Sequence, residues 1–152
     1  MEILVVGGGI GGLTLALSLH QAGIACRVFE AAREIRPLGV GVNILPHGAR
    51  ELTELGLAGR LARVAVETRE LCGVNRFGQF IFREPRGRFA GYPWPQWSIH
   101  RADLHEVLVQ AVHERLGLDC VQLNKRLVSL EQDGNSVELH FEDGSSVKGD
   151  AT

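Results

Sequence analysis

Hydrophobic residues in the first thirty positions form two short apolar runs separated by one helical pattern. Residues 3–6 and 25–29 are almost continuously apolar, which is typical of strands buried in a parallel sheet. Between them the apolar positions recur at intervals of three and four, as along one face of a helix: Leu13, Ala16 and Leu17. Gly23 follows this helix, where a C-terminal glycine is common. The opening of the chain is therefore predicted to fold as a strand, a helix and a second, parallel strand.

The middle of the chain changes from glycine-rich to aromatic. Glycines alternate with branched residues over 38–44, a pattern typical of a short strand whose backbone lies close to something bulky. Pro46 fits the first turn of a helix that ends at Gly56. Two strands joined by a turn are predicted within residues 70–82. The aromatic stretch that follows could line a flat ligand or cover the edge of a sheet.

The last third of the sequence predicts one long helix followed by a small antiparallel sheet. Apolar residues recur at helical spacing from Ser98 to Leu116, and Gly117 ends the pattern. Residues 118–123 then read as a strand. Turns marked by Asp-Gly sequences separate three further strands, at residues 127–131, 137–141 and 146–148. The alternation of strands and helices predicts an α/β protein with a β-meander.

The chain has 152 residues, 45% of them hydrophobic, and a net charge of −2, which suits the core of one domain. No basic excess indicates a nucleic-acid partner. The sequence has no apolar run of about 20 residues for a membrane helix, and it begins without a signal peptide. Three cysteines without CxxC spacing, Cys26, Cys72 and Cys120, predict reduced thiols and a cytoplasmic protein.

The candidate chemistry lies in the turn between the first strand and the first helix, formed by Gly7, Gly8, Gly9, Ile10, Gly11 and Gly12. A GxGxxG turn in this position binds the pyrophosphate of a dinucleotide. Gly7 permits the tight turn, Gly9 lets the backbone approach the phosphates, and Gly12 lets the helix pack closely on the sheet. The N-terminus of the helix contributes unpaired N–H groups and the positive end of its dipole.

Glu30 ends the second strand, where a carboxylate can accept hydrogen bonds from the hydroxyls of the adenosine ribose. An acid at this position disfavours a 2′-phosphate, so FAD or NAD is predicted rather than NADP. The alternative is that the glycines form an ordinary turn of a β-α-β unit. The histidine spacing predicts no metal site, and the absence of a GxSxG sequence disfavours a serine hydrolase.

Together these segments resemble the N-terminal part of the class A, single-component FAD-dependent aromatic monooxygenases, the p-hydroxybenzoate hydroxylase group. The matching pieces are the glycine turn, Glu30, the strand at 39–44 with the Pro46 helix, and residues 99–104. Segments that are similar to the phenazine hydroxylases of this family lie at residues 34–41, 84–87 and 92–101. The resemblance implies a Rossmann-like FAD-binding domain of the glutathione-reductase/p-hydroxybenzoate hydroxylase type, with a β-meander and part of a substrate-domain hairpin.

The resemblance also implies how the adenosine half of FAD is bound. The pyrophosphate would lie along the glycine turn, Glu30 would contact the ribose, and the adjacent Ala31 would also belong to the cofactor site. Arg33 would face the adenine, although a solvated loop residue is an equally simple interpretation. Backbone groups at Leu127 would also touch the adenine.

For the flavin half, the resemblance implies that Arg101 reaches the ribityl chain or the pyrophosphate, because a guanidinium pairs with phosphate in a two-pronged way. Gly41 and Val42 would pass near the flavin ring. NAD(P)H would act as a transient co-substrate, and O₂ and a small aromatic molecule would be the other reactants. No catalytic acid or base is expected, because the flavin carries out the oxidation.

In the family, a Gly-Asp-Gly segment follows the meander and another glycine-aspartate motif comes later, and this sequence stops before the first. We therefore expect a fragment that is inactive alone. Its FAD-binding domain would comprise residues 1–72 and 98–152, and residues 73–97 would be inserted strands of a substrate domain. The alternatives are another FAD-dependent oxidoreductase, of the oxidase or isoprenoid reductase type, and a non-catalytic remnant of the fold. The substrate, the choice between NADH and NADPH and the oligomeric state are left open.

Overall fold

A computed structural model describes residues 1–34 and 39–152. The chain divides into two compact units, one formed by Met1–Pro37 with His105–Thr152 and the other by Leu38–Leu104. In chain order the elements are β1 (Glu2–Val6), α1 (Ile10–Gln21), β2 (Ala25–Phe29), β3 (Gly41–Ile44), α2 (Pro46–Glu54), α3 (Ala58–Val64), β4 (Val66–Glu67), β5 (Glu70–Val74), β6 (Phe80–Pro85), β7 (Trp97–His100), α4 (Arg101–Leu116), β8 (Val121–Gln122), β9 (Leu127–Gln132), β10 (Val137–Phe141) and β11 (Ser146–Gly149).

The first unit contains a parallel sheet in the order β1-β2-β8. β1 and β2 pair in register from Glu2 opposite Ala25 to Val6 opposite Phe29, and α1 connects them. On the other side of β1, Ile3 forms a parallel bridge with Ala151, and the N–H of Leu4 donates to the carbonyl of Ala151 at 2.8 Å. The strand that carries the glycine turn is therefore hydrogen-bonded on both sides.

An antiparallel sheet in the order β11-β10-β9 completes the first unit. Its inward-facing residues pack against the parallel strands, and the Phe29 and Phe141 rings lie 5.0 Å apart. The shared core consists of buried side chains from both sheets: Leu4, Phe29, Val137, Leu139 and Phe141. This packing fixes the end of β2, and thereby the position of the residue that follows it.

The second unit contains two separate small sheets. One has the order β3-β7-β4, with β7 antiparallel to both neighbours. The other is the hairpin β5-β6, in which Glu70 pairs with Pro85 and Val74 pairs with Phe80. The helices α2 and α3 follow β3, and Gly56 after α2 has a φ of +75°, the left-handed conformation expected for a helix-ending glycine.

Most predicted elements are confirmed, and their differences from the sequence prediction lie at the ends. The helix predicted from Ser98 begins at Arg101, because residues 97–100 pair with β3 as strand β7. The strand predicted at 118–123 is reduced to the two residues of β8, preceded by a 3-10 turn. The predicted strand at 38–44 is observed at Gly41–Ile44, and its first residue, Leu38, lies outside the described residues.

Within the part of the chain that the structure describes, no helix combines the length and the apolar composition that crossing a membrane requires.

Candidate functional site

The glycine turn leaves β1 through a conformation that requires glycine. Gly7 has a φ of +104°, outside the range that L side chains favour. Its N–H donates to the carbonyl of Phe29 at 2.8 Å, so the turn starts from the last rung of the parallel ladder. The tight turn predicted for this glycine is confirmed.

Gly12 allows α1 to pack closely on the turn. A Cβ atom added there would overlap the carbonyl oxygen of Gly7, which belongs to the backbone. The helix can approach β1 this closely only because position 12 has no side chain. The close contact predicted between helix and strand is therefore present.

In contrast, the space in front of the first helical turn is open. A Cβ atom added to Gly9 or Gly11 would meet no atom within 4 Å. Gly9 is the N-cap of α1 and has no side chain to cap the helix, and the first helical bond runs from the N–H of Leu13 to the carbonyl of Gly9 at 3.0 Å. The N–H groups that precede Leu13 in α1 are therefore positioned to receive an anion, as at other helix N-termini.

Glu30 is held against the glycine turn by two backbone hydrogen bonds. Its Oε2 accepts the N–H of Gly8 at 2.7 Å, and its Oε1 accepts the N–H of Ala32 at 2.8 Å. The residue is half-buried. Each carboxylate oxygen has a further lone pair for another donor. The carboxylate thus lies beside the open turn, in an orientation set by the main chain.

The backbone around Glu30 is fixed by the segment that follows β8. The N–H of Glu30 donates to the carbonyl of Gln122, and the carbonyl of Glu30 accepts the N–H of Lys125, both at 2.8 Å. The N–H of Asn124 donates to the carbonyl of Ala32 at 2.9 Å. The end of β2 is therefore tied to the connection that leads into the meander.

Three further residues predicted on the adenosine side lie in this unit. Ala31 is half-buried beside Glu30, and Arg33 is exposed. Leu127 begins β9, pairs with Phe141 and packs against the core of the unit. The structure therefore places Ala31 and Leu127 near the fixed end of β2 and leaves Arg33 as a surface side chain.

The glycine turn has one further contact, which the sequence did not indicate. Nε2 of His105 lies 2.7 Å from the carbonyl oxygen of Gly8, across 97 positions of sequence. His105 is half-buried on α4. The sequence contains no signal for this contact, because it brings together a side chain of α4 and a turn that lies 97 positions earlier in the chain.

The residues predicted on the flavin side lie together in the second unit. Gly41 pairs with His100 and Val42 pairs with Ile99 between β3 and β7. The N–H of Arg101 donates to the carbonyl of Val40 at 3.0 Å, so the first residue of α4 is joined to the start of β3. A Cβ atom on Gly41 would meet nothing within 4 Å, which leaves open space over this strand.

The aromatic stretch after the hairpin contributes to a cavity within the second unit. The cavity has a volume of about 530 Å³, and Tyr92, Trp94, Pro46 and Arg50 are among its lining residues. Arg50 is hydrogen-bonded to Glu51, which raises the pKa of the guanidinium. Gln96, at the end of the stretch, is buried and also lines the cavity.

The comparisons with known proteins agree with this geometry. The family described as "FAD binding domain" matches residues 1–150. Among curated proteins, the chain is 43% identical over 156 residues to the phenazine 1,6-dicarboxylic acid hydroxylase PhzS of Lysobacter antibioticus, covering 99% of this chain and 38% of that protein. It is 34% identical over 157 residues to the FAD-dependent urate hydroxylase of Klebsiella pneumoniae subsp. pneumoniae, with the same coverage of 99% and 38%.

Among solved structures, the chain is similar to Klebsiella pneumoniae HpxO complexed with FAD and uric acid. The TM-score is 0.82 with 29% sequence identity, and the match covers 99% of this chain and 37% of that one. The chain thus spans about two fifths of the length of these relatives. The predicted fold class, a Rossmann-like α/β fold for binding FAD with a β-meander, is confirmed.

Proposed function

The chain belongs to the family of FAD-binding domains, and from this premise we propose that it is the cofactor-binding part of a flavoprotein monooxygenase. The reaction would be the hydroxylation of an aromatic or N-heteroaromatic ring with NAD(P)H and O₂. The relatives support this proposal, because their names specify hydroxylation of phenazine 1,6-dicarboxylic acid and of urate.

The open turn and the fixed carboxylate fit the two polar parts of FAD that the fold binds. The N–H groups at the start of α1 would receive the pyrophosphate, and the missing side chain at Gly9 leaves the room that the phosphates need. Glu30 would accept the ribose hydroxyls with the lone pairs that its two backbone bonds leave over. When bound, the flavin would supply the redox chemistry, and this chain would bind and orient it.

In the second unit, Arg101 and the strand Gly41–Ile44 would serve the flavin end. The guanidinium of Arg101 suits a phosphate or the oxygens of the ribityl chain, because it offers several N–H donors in a planar fork. Gly41 presents backbone without a side chain, as a flat ring would require for close approach. A bound anion would also offset the unfavourable position of this positive side chain at a helix N-terminus.

We assign the FAD-binding domain to residues 1–72 and 98–152 and the inserted substrate-domain strands to residues 73–97. The large apolar side chains within residues 73–97 support this assignment, because Val74, Phe80, Ile81 and Phe82 are all exposed. A cluster of exposed apolar side chains of this kind is typical of a surface that packs against further polypeptide. We place the protein in the cytoplasm, where NAD(P)H is available and where its free thiols would stay reduced.

The observation that supports the proposal most directly is the Glu30 carboxylate hydrogen-bonded to Gly8 beside the open space at Gly9. We expect the purified chain, titrated with FAD, to quench flavin fluorescence saturably. Gly9→Val should abolish this binding without loss of the circular dichroism spectrum, because the added side chain fits the free protein but fills the phosphate space. Gly59→Val on α3, where a Cβ atom also meets nothing within 4 Å, is the matched control.

Glu30→Ala gives an independent check on the ribose assignment. Removal of a charged hydrogen-bond partner should weaken FAD binding by roughly 1–3 kcal/mol. Unchanged affinity in both Gly9→Val and Glu30→Ala would contradict the proposed site. Saturable binding by the unsubstituted chain, followed by loss in these two variants alone, would support it.

A further inference from the structure

We propose that His105 is a positioning residue of the cofactor site, which orients the Gly8–Gly9 peptide so that the Gly9 N–H faces the bound phosphate. The inference deepens the proposed function and rests on it. Its geometric basis is the 2.7 Å separation between His105 Nε2 and the carbonyl oxygen of Gly8.

The direction of this hydrogen bond follows from the chemistry of its two atoms. A peptide carbonyl oxygen can only accept, so Nε2 of His105 must carry the proton and donate it. The bond therefore fixes the side chain as a donor, in either the neutral Nε2–H tautomer or the protonated imidazole. His105 also lies on the same helix as the buried Leu108 and Val112, which anchor that helix in the unit.

The planar peptide carries the effect of His105 to the next N–H group. The described residues contain no cis peptide bond, so the N–H of Gly9 points opposite to the carbonyl of Gly8. Because that carbonyl is directed at His105, the N–H of Gly9 is directed away from the imidazole. His105 therefore sets the direction of a donor that belongs to the N-cap of α1.

The preceding peptide, between Gly7 and Gly8, is also held by contacts with other parts of the chain. The N–H of Gly8 donates to Glu30, and the carbonyl of Gly7 lies against Gly12. Two consecutive peptides of the turn are thus constrained from separate parts of the chain, one by a carboxylate and one by an imidazole. A turn built largely from glycine has high intrinsic conformational freedom, so such constraints reduce the entropy that binding must otherwise remove.

The test compares His105→Phe, which keeps a ring but has no donor, with His105→Gln, whose amide nitrogen can reach the same carbonyl. We expect His105→Phe to weaken binding of FAD and of ADP about tenfold, the scale of one hydrogen bond. Binding of adenosine, which has no phosphate, should not change, and His105→Gln should restore most of the affinity. His113→Phe, a half-buried histidine further along α4, is the control.

A cofactor-free measurement addresses the same point directly. In ¹⁵N relaxation of the free chain, His105→Phe should lower the order parameters of the Gly8 and Gly9 amides, while those of β10 stay unchanged. Equal weakening of ADP and adenosine would reduce His105 to a structural role, and an unchanged turn in His105→Phe would overturn the proposal. If the unsubstituted chain bound neither FAD nor ADP, the proposed function itself would be wrong.

Discussion

The strands of the β1-α1-β2 region and of the β5-β6 hairpin are both rich in apolar residues, but these side chains are mostly buried in the first region and exposed in the second. Leu4 in β1 is 0% exposed, whereas Ile81 in β6 is 63% exposed. The first region has a second sheet of its own unit to pack against. The hairpin leaves large apolar side chains exposed on both of its faces: Leu71, Val74, Phe80, Ile81 and Phe82. An apolar pattern thus predicts that a strand will form, but it does not predict which part of the protein covers it.

The largest contrast should come from matched leucines. Leu4→Ala should lower the free energy of unfolding by about 2–5 kcal/mol, because it leaves a cavity in a closed core. Leu71→Ala should change it by no more than about 0.5 kcal/mol, because the side chain is already exposed. Urea unfolding followed by circular dichroism measures both. Equal losses would mean that the hairpin is buried in solution and that the contrast is wrong.

Alanine substitutions at two glycines, Gly12 in α1 and Gly73 in the hairpin, test whether the two regions also differ in how rigidly they are packed. Gly12→Ala should cost about 1–3 kcal/mol, because its Cβ would overlap a backbone carbonyl that cannot move freely. In Gly73→Ala the atoms nearest to the added Cβ belong to the ring of Phe82, which is exposed and can rotate, so a change within about 0.5 kcal/mol is expected. The same unfolding measurement applies. If Gly73→Ala lowered the free energy of unfolding more than Gly12→Ala, the hairpin would not be the less rigidly packed region.

The reactivity of the three cysteines should also differ between the first unit and the exposed hairpin. Burial raises the pKa of the Cys120 thiol to about 11 and also raises the pKa of Cys26, both in the first unit. At pH 8 only about one thousandth of Cys120 is therefore thiolate. Cys72 on the hairpin is exposed and should react with iodoacetamide at least about tenfold faster. Mass spectrometry of a time course shows the order, and the three rates should converge in urea.

The smallest predicted effect is the contribution of one ion pair, Lys125 with Asp143, to the pH dependence of stability. The hydrogen bond from Lys125 Nζ to Asp143, at 2.6 Å, and those from Ser145 hold the pKa of that carboxyl well below its ordinary value of 3.8. The depressed pKa stabilises the folded state above pH 3.8, and this contribution is lost as the pH falls further. Lys125→Met should flatten that part of the acid unfolding curve. Arg83→Met, which removes the more exposed Arg83–Glu70 pair of the hairpin, should leave it unchanged.

Sequence patterns predicted the elements that are specified locally. The turn at Gly7 and the ends of α1 and α2 have glycines in the left-handed conformation that other residues rarely adopt. The close packing at Gly12 requires a residue without a side chain. The position of Glu30 beside the turn was also predictable, because parallel strands joined by one helix end at the same edge. All of these features except the end of α2 lie within about thirty consecutive residues.

Features that depend on distant partners were not predictable in the same way. Residues 98–100 were predicted as the start of the long helix, but their pairing with β3 makes them part of strand β7. His105 has no distinguishing neighbour in the sequence, and its contact with Gly8 requires α4 to pack beside the turn. The exposure of the hairpin side chains was not predictable either, because it depends on which other segments pack against them and not on the spacing of apolar residues.

The parallel bridge between Ile3 and Ala151 has a consequence for solubility. Because Leu4 also donates to Ala151, β1 is an internal strand, although it is the last strand named in its sheet. Its apolar sequence would otherwise offer a free row of amide and carbonyl groups, the kind of template on which chains associate into aggregates. Residues 150–152 shield that row, because the N–H of Asp150 also donates to the carbonyl of Glu2 and the hydroxyl of Thr152 donates to the carbonyl of Leu4.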